Sequence, residues 1–247
     1  MLAMNLKSSP IVHVHSVHLD SPRWQVDACR RLLNSDELGR AARFHSAKLA
    51  SRWIVSRARL REILANHLGV APASLAFRDG RNGKPLLAGI GKTIHFNLSH
   101  SEGLALIAVC ETAEVGVDVE YERAIPSWPS VAKRVFTSAE LAAIEAADPA
   151  RQQHCFYRAW TRKEALIKTT GEGFSADLSG ITVSIDDDPS LLAWLDRNPL
   201  DWQLTHIVPA EDYVGAVSIH SSKAPTVIFH GDPAATNNNN NKEKAVA

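Results

Sequence analysis

A pattern that occurs twice constrains this chain more than any other feature. Ser35-Asp36-Glu37-Leu38 is followed, 22 residues after Ser35, by Arg57-Ala58-x-x-Arg61-Glu62. Ser138-Ala139-Glu140-Leu141 is followed, 20 residues after Ser138, by Arg158-Ala159-x-x-Arg162-Lys163-Glu164. Each copy reads as a helix start and then a helical stretch that leads toward strands. A chain of 247 residues is long enough for two such units around a real core. The repeat predicts an α+β fold, a pseudo-twofold pair of similar subdomains with a cleft between them. Residues 1–122 form the first half and 123–224 the second. Residues 225–247, with Asn237 to Asn241 followed by Lys-Glu-Lys, have the composition of a disordered tail and are set outside the fold.

Hydrophobic periodicity fills in the elements. Strand alternation covers 11–19, 94–98, 105–110 and 115–121, the last two reading as a hairpin turned by Glu111 to Glu114. Helical spacing covers 23–33, 47–68 and 152–169, and residues 80–85 are a turn cluster. Later strands are expected at 181–185, 202–207 and 213–219. His13, His15 and His18 alternate with apolar residues on the first strand and read as a solvated face.

Composition excludes several functions. Lysine plus arginine equals aspartate plus glutamate at 27 each, so no global field points to nucleic acid or a membrane surface. Cys29, Cys110 and Cys155 lack metal-ligand spacing and read as reduced core thiols. No apolar run approaches the ~18 residues of a membrane span. The expectation is a soluble, cytoplasmic protein.

The chemistry concentrates in two short stretches. In Gly116-Val117-Asp118-Val119-Glu120, strand alternation puts Asp118 and Glu120 on one face, where two carboxylates repel and call for a counter-charge. In Trp160 to Lys168, helical spacing makes Glu164 and Lys168 neighbours. A solvated strand face and a surface ion pair would explain each stretch alone. Together, three carboxylates on two rigid elements suit a hard cation that leaves room for substrate phosphates, which suggests Mg²⁺-assisted chemistry on a phosphate ester. Ser99 and His100 follow a predicted strand without the G-x-S-x-G of a serine hydrolase, and they suit phosphate oxygens as well. Arg40, Arg43, Arg52 and Lys84 are further candidates for phosphate contacts.

Four motifs in order carry a resemblance: Gly83-Lys84-Pro85, Phe96-Asn97-Leu98-Ser99-His100-Ser101, Gly116 to Glu120, and Trp160 to Lys168. The chain resembles the 4′-phosphopantetheinyl transferases, specifically the larger, surfactin-synthetase-activating type. The resemblance implies a monomer that moves the 4′-phosphopantetheine group from coenzyme A to a serine of an apo acyl carrier protein, or of a carrier domain in a polyketide or nonribosomal peptide synthetase. The other product is 3′,5′-ADP. It implies that Asp118, Glu120 and Glu164 hold Mg²⁺, with Glu164 as ligand, base or both. It implies that Lys84, Ser99 and His100 touch coenzyme A, that Lys168 meets its pyrophosphate, and that Arg40 and Arg52, on one Arg-rich helix, face its 3′-phosphate. A coenzyme A or nucleotide binding module without turnover is the alternative. The segment 125–135, with Trp128, Lys133, Arg134 and the nearby Phe136, is the expected docking surface for the carrier protein.

Overall fold

Two capping boxes punctuate the chain at equivalent places. Asn34 and Glu37 bond each other's backbone N–H to start α2 (Ser35–Ala41), and Thr137 and Glu140 do the same for α5 (Ser138–Ala146). Both acids then turn inward. Glu37 meets Arg61 of α3 (Ala47–Leu68) at 2.7 Å, and Glu140 meets Lys163 of α6 (Gln152–Thr170) at 2.5 Å. Each buried cation also donates to carbonyls, Arg61 to Pro72 and Leu75, Lys163 to Val135 and Leu178. The repeated sequence is thus a repeated buried ion pair. The structural counterpart of Arg61 is Lys163, one residue beyond Arg162, which donates instead to the Ser184 and Asp186 carbonyls.

The computed structural model describes residues 8–89, 93–173 and 176–232. The first unit runs β1 (Ile11–His18), α1 (Val26–Arg30), α2, α3, β2 (Ala76–Asp79), β3 (Pro85–Ala88), β4 (His95–Ser101) and β5 (Leu104–Cys110). The second runs β6 (Val115–Tyr121), α4 (Trp128–Val135), α5, α6, β7 (Ile181–Val183), β8 (Leu191–Trp194), β9 (Trp202–Ile207) and β10 (Tyr213–His220), with β11 (Thr226–His230) after it. The sheets repeat the order, β1-β5-β4 and β6-β10-β9, and each unit carries a small antiparallel hairpin, β2-β3 and β7-β8.

Two boundaries differ from the expectation. β6 pairs with β10 and not with β5, so the second sheet begins at Val115, ahead of residue 122. The expected hairpin fails because β5 already has a partner on each edge, β1 and β4. β6 lies beside β4 across a seam joined by side chains: Val117 N donates to Asn97 Oδ1 and Tyr121 N to Ser101 Oγ, both at 3.1 Å. The tail reading is corrected at its start, since Thr226–His230 pairs in parallel with β1 as the edge of the first sheet. Val227 and Phe229 of that strand pack on the core cluster that contains Val12 and Val14. Asn237 to Asn241 lie outside the described residues.

The strand histidines are corrected as well. His13 and His15 face the end of α3, within 5.0 and 6.3 Å of the His67 ring, and His15 stacks on His230 at 4.3 Å. Burial, then the neighbouring His230, His67 and His13, lowers the His15 pKa from 6.5 to about 3. The fold holds the neutral ring, so this contribution is complete above 6.5 and is lost as pH falls from 6.5 toward 3. Urea titrations at pH 7 and pH 5 should therefore show a loss on the order of 1–2 kcal/mol from this group, absent in His15→Gln. An equal pH effect in both proteins would contradict the assignment.

The cores follow from the apolar faces. Val115, Val117 and Val119 of β6 are at most 1% exposed, each contributing about 1.5–3 kcal/mol by its burial. Cys29, Cys110 and Cys155 are free thiols in the interior, as expected. Among the described residues no helix is long and apolar enough to cross a membrane.

Candidate active site

The site exists because α6 lies directly on β6. A Cβ at Gly116 would stand 2.2 Å from the Ala165 carbonyl oxygen and 2.5 Å from the Thr169 nitrogen, so only glycine permits this approach. The contact brings Glu164 and Lys168, one helical turn apart, over the face of β6 that carries Asp118 and Glu120. Gly171, in the left-handed conformation with φ 71°, ends α6 three residues past Lys168.

The polar contacts join both units. Lys168 Nζ stands 2.5 Å from Asp118 Oδ1 and 2.8 Å from Ser99 Oγ, and Ser99 donates to the same Oδ1 at 2.7 Å. Asp118 is 3% exposed, and its Oδ2 is buried with no hydrogen-bond partner. Ser101 Oγ donates to Glu120 Oε2 at 2.8 Å. Burial, then the Asp118 charge, raises the Glu120 carboxyl above its ordinary range. The same two causes raise Glu164, with a smaller push from Glu120 and an opposing pull from Lys168. Burial and then the Lys168 cation lower His100, so its ring is neutral at pH 7 and offers a hydrogen bond rather than a charge.

Among the described residues no three acidic, histidine or cysteine side chains converge on one point, and the Lys168 ammonium occupies one oxygen of Asp118. The other Asp118 oxygen is a buried acceptor without a donor, and the two flanking carboxylates carry charge that burial and mutual repulsion oppose. An all-carboxylate oxygen set with an orphaned acceptor fits a hard cation.

Two cavities open beside these groups. One of about 420 Å³ is lined by Arg40, Arg43, Arg57, Arg78 and His100 against Asp36, Glu37 and Asp79, with Trp53 and Phe77 on its wall, a recess with a small basic excess in which Glu37 takes up Arg57. The other, about 230 Å³, runs from Ser101 and Glu120 to Ile125, Val131, Phe156 and Trp160 and is mostly apolar.

The structure brings Ser99, Asp118, Glu120, Glu164 and Lys168 together, with His100 at the mouth of the basic cavity. Arg40 lines that cavity, but Arg52 does not share its helix: Arg40 is in α2 and Arg52 in α3. Arg52 donates to both oxygens of Asp20, at 2.8 and 2.5 Å, approaches Glu102 at 3.4 Å, and lines a separate cavity with Trp53 and His100. The Lys84 side chain lines a separate cavity beyond the basic one, where its Nζ donates to the Thr169 carbonyl at 3.0 Å and to Glu114 at 3.3 Å. Trp128 and Phe136 pack against Phe156 in the core of the second unit, while Lys133 and Arg134 are exposed on α4. Sequence reasoning missed Arg78 and the role of Ser101. Asn97, Ser99 and Ser101 share one strand face at period two, and that alternation was the signal for Ser101.

The comparisons agree with this architecture. Residues 21–112 match the family described as 4′-phosphopantetheinyl transferase, N-terminal, and residues 114–218 the 4′-phosphopantetheinyl transferase superfamily. The chain is 38% identical over 210 residues to the 4′-phosphopantetheinyl transferase HetI of Nostoc sp., covering 84% of this chain and 87% of that protein. It is 30% identical to the 4′-phosphopantetheinyl transferase psf-1 of Bacillus pumilus, covering 67% and 70% of the two chains. It is 26% identical to the 4′-phosphopantetheinyl transferase Sfp of Bacillus subtilis, covering 71% and 77%. A repeated α+β unit, a carboxylate–lysine centre where the units meet, and relatives matched over most of their length lead to one conclusion: the chain belongs to the 4′-phosphopantetheinyl transferase family.

Proposed function

We propose that the protein transfers the 4′-phosphopantetheine group from coenzyme A to a serine of an apo carrier protein and releases 3′,5′-ADP. The observation that carries this is Lys168 and Ser99 on one oxygen of a buried Asp118 whose other oxygen lacks a donor, beside a basic cavity. Arg40, Arg43 and Arg78 line that cavity and suit the 3′-phosphate end of coenzyme A. Asp118, Glu120 and Glu164 would hold Mg²⁺, which when bound neutralises the pyrophosphate and lowers its repulsion of a nucleophile.

The protein's own groups then act in sequence. The carrier serine oxygen attacks the phosphorus that bears the pantetheine arm. Glu164, whose carboxyl is raised above its ordinary range by burial and then by the Asp118 charge, takes the hydroxyl proton. The bond from that phosphorus to the oxygen shared with the adenosine-side phosphate breaks. The leaving phosphate gains charge beside Lys168, with the neutral His100 ring offering an N–H. Incubation with coenzyme A, Mg²⁺ and an apo carrier protein should add about 340 Da to the carrier, read by mass spectrometry. No added mass on any of several carriers would refute the reading.

The carrier would dock against α4. Ile125 and Val131 line the apolar cavity that reaches Glu120, and Lys133 and Arg134 stand exposed on the same helix. Carrier domains of this kind are expected to be acidic, so these cations supply local attraction in a chain without net charge. Lys133→Glu combined with Arg134→Glu should raise KM for the carrier about 3–10-fold and leave KM for coenzyme A unchanged. Equal effects on both substrates, or none, would remove α4 from the docking surface.

A further inference from the structure

The turn that joins β2 to β3 grips the end of α6. Asn82, at φ 51°, sends its amide nitrogen to the Gly171 carbonyl at 3.1 Å and to the Glu172 carbonyl at 2.5 Å. Two residues later Lys84 donates to the Thr169 carbonyl at 3.0 Å. These are carbonyls at a helix terminus, which have no partner within the helix and attract a cation. The fit is close: a Cβ at Gly173 would stand 2.8 Å from the Asn82 Cβ. On its far flank the same helical turn rests on Gly116 of β6, so α6 is held from both sides at Thr169.

We infer that the Asn82 side chain and the Lys84 ammonium are positioning groups, which fix the last turn of α6 so that Lys168 and Glu164 stay over Asp118, and that this ammonium is not itself a contact of coenzyme A. The inference rests on the transferase reading for its catalytic consequence. The Lys84 ammonium is already engaged by a helix carbonyl and by Glu114, which in turn meets His95 at 3.1 Å. The hairpin's other side, at Arg78, Asp79, Gly83 and Pro85, lines the basic cavity. One hairpin therefore touches the substrate recess with one side and the catalytic helix with the other.

Lys84→Met keeps the stem and removes the ammonium. Asn82→Asp keeps the shape and the tolerance of positive φ, and replaces the donor by an acceptor. Each variant of the full chain is compared with wild type by amide exchange at residues 169–171, by coenzyme A affinity in calorimetry, and by transfer kinetics. Exchange there should rise at least ~10-fold, with coenzyme A affinity within about 2-fold of wild type. The kcat should fall about 10-fold with KM for coenzyme A little changed. A coenzyme A affinity at least ~10-fold weaker with exchange unchanged would make Lys84 a ligand and overturn the inference, as would no change in either. If Lys84→Met does not fold, Asn82→Asp decides the grip on α6 and Lys84→Gln, which keeps a donor but no charge, decides the coenzyme A contact by calorimetry. A wild-type chain that transfers nothing would refute the transferase reading, while the exchange and affinity measurements would still decide whether the hairpin positions α6.

Discussion

Glu164→Ala should lower the rate of phosphopantetheine transfer by at least ~10²-fold, and Asp118→Ala and Glu120→Ala by a similar factor, because under the proposed mechanism each removes a cation ligand or the base. The stability of the three variants separates the roles. Glu120 and Glu164 have carboxyls raised by burial and by the Asp118 charge, so the fold resists their ionised forms. For an acid raised in this way, stability falls as pH climbs above the unfolded value of 4.5, and removing the charge relieves that cost at pH 7. Glu164→Ala, which orphans no donor among the described residues, should melt no lower than wild type despite its lost activity, while in Glu120→Ala the relief is offset by the Ser101 hydroxyl left without its acceptor. Asp118→Ala should melt lower, because it leaves Lys168 and Ser99 without their shared acceptor. Single-turnover transfer together with thermal melts reads both effects. Near-wild-type transfer by Glu164→Ala at saturating Mg²⁺ would refute its role.

How much of this was legible in the sequence depends on the range of the interaction. That Asp118 and Glu120 share one strand face and Glu164 and Lys168 one helix face was legible because strand and helix periodicities fix faces locally, and the ordered motifs supplied the chemistry proposed for them. That they converge depends on Gly116, whose lack of a side chain is visible but whose helix partner is not. The repeat was legible in its letters, but the spacing from acid to buried cation differs by one residue between the copies, Glu37 to Arg61 against Glu140 to Lys163, so matching letters pointed to Arg162 where the packing uses Lys163. What stayed hidden was pairing. Whether β6 pairs with β5 or β10 depends on which edges are already taken, and the parallel docking of β11 on β1 joins residues more than two hundred apart. Lys84 and Arg52 show the same limit. Their positive charge is local information, but Thr169, Glu114 and Asp20, which take it up, are brought in by the fold.

Glu140→Ala should cost about 3–5 kcal/mol of stability, more than any single apolar truncation of β6, because it breaks a buried ion pair from one side. Glu140 is 2% exposed and Lys163 0%. The carboxylate receives Lys163 Nζ at 2.5 Å, Val183 N at 2.9 Å and Thr137 N at 2.8 Å, so its loss frees a cation, a strand donor and the cap of α5 together. The cap alone is worth about 1 kcal/mol. The larger part is the ammonium, left with only the Val135 and Leu178 carbonyls in a site where burial already pushes its pKa down. Removing both charges is a different experiment. Glu140→Leu with Lys163→Met should fall within about 2 kcal/mol of wild type, since the desolvation penalty disappears with the pair. Equilibrium urea unfolding of the single and double variants gives both numbers, provided the denaturant slope is unchanged. Glu37→Ala should repeat the loss in the first unit, where Arg61 and Arg57 both lose their acid. A Glu140→Ala protein within about 1 kcal/mol of wild type would mean that Lys163 reaches water or deprotonates inside the fold, and that the repeated pair is not what makes the two units stable.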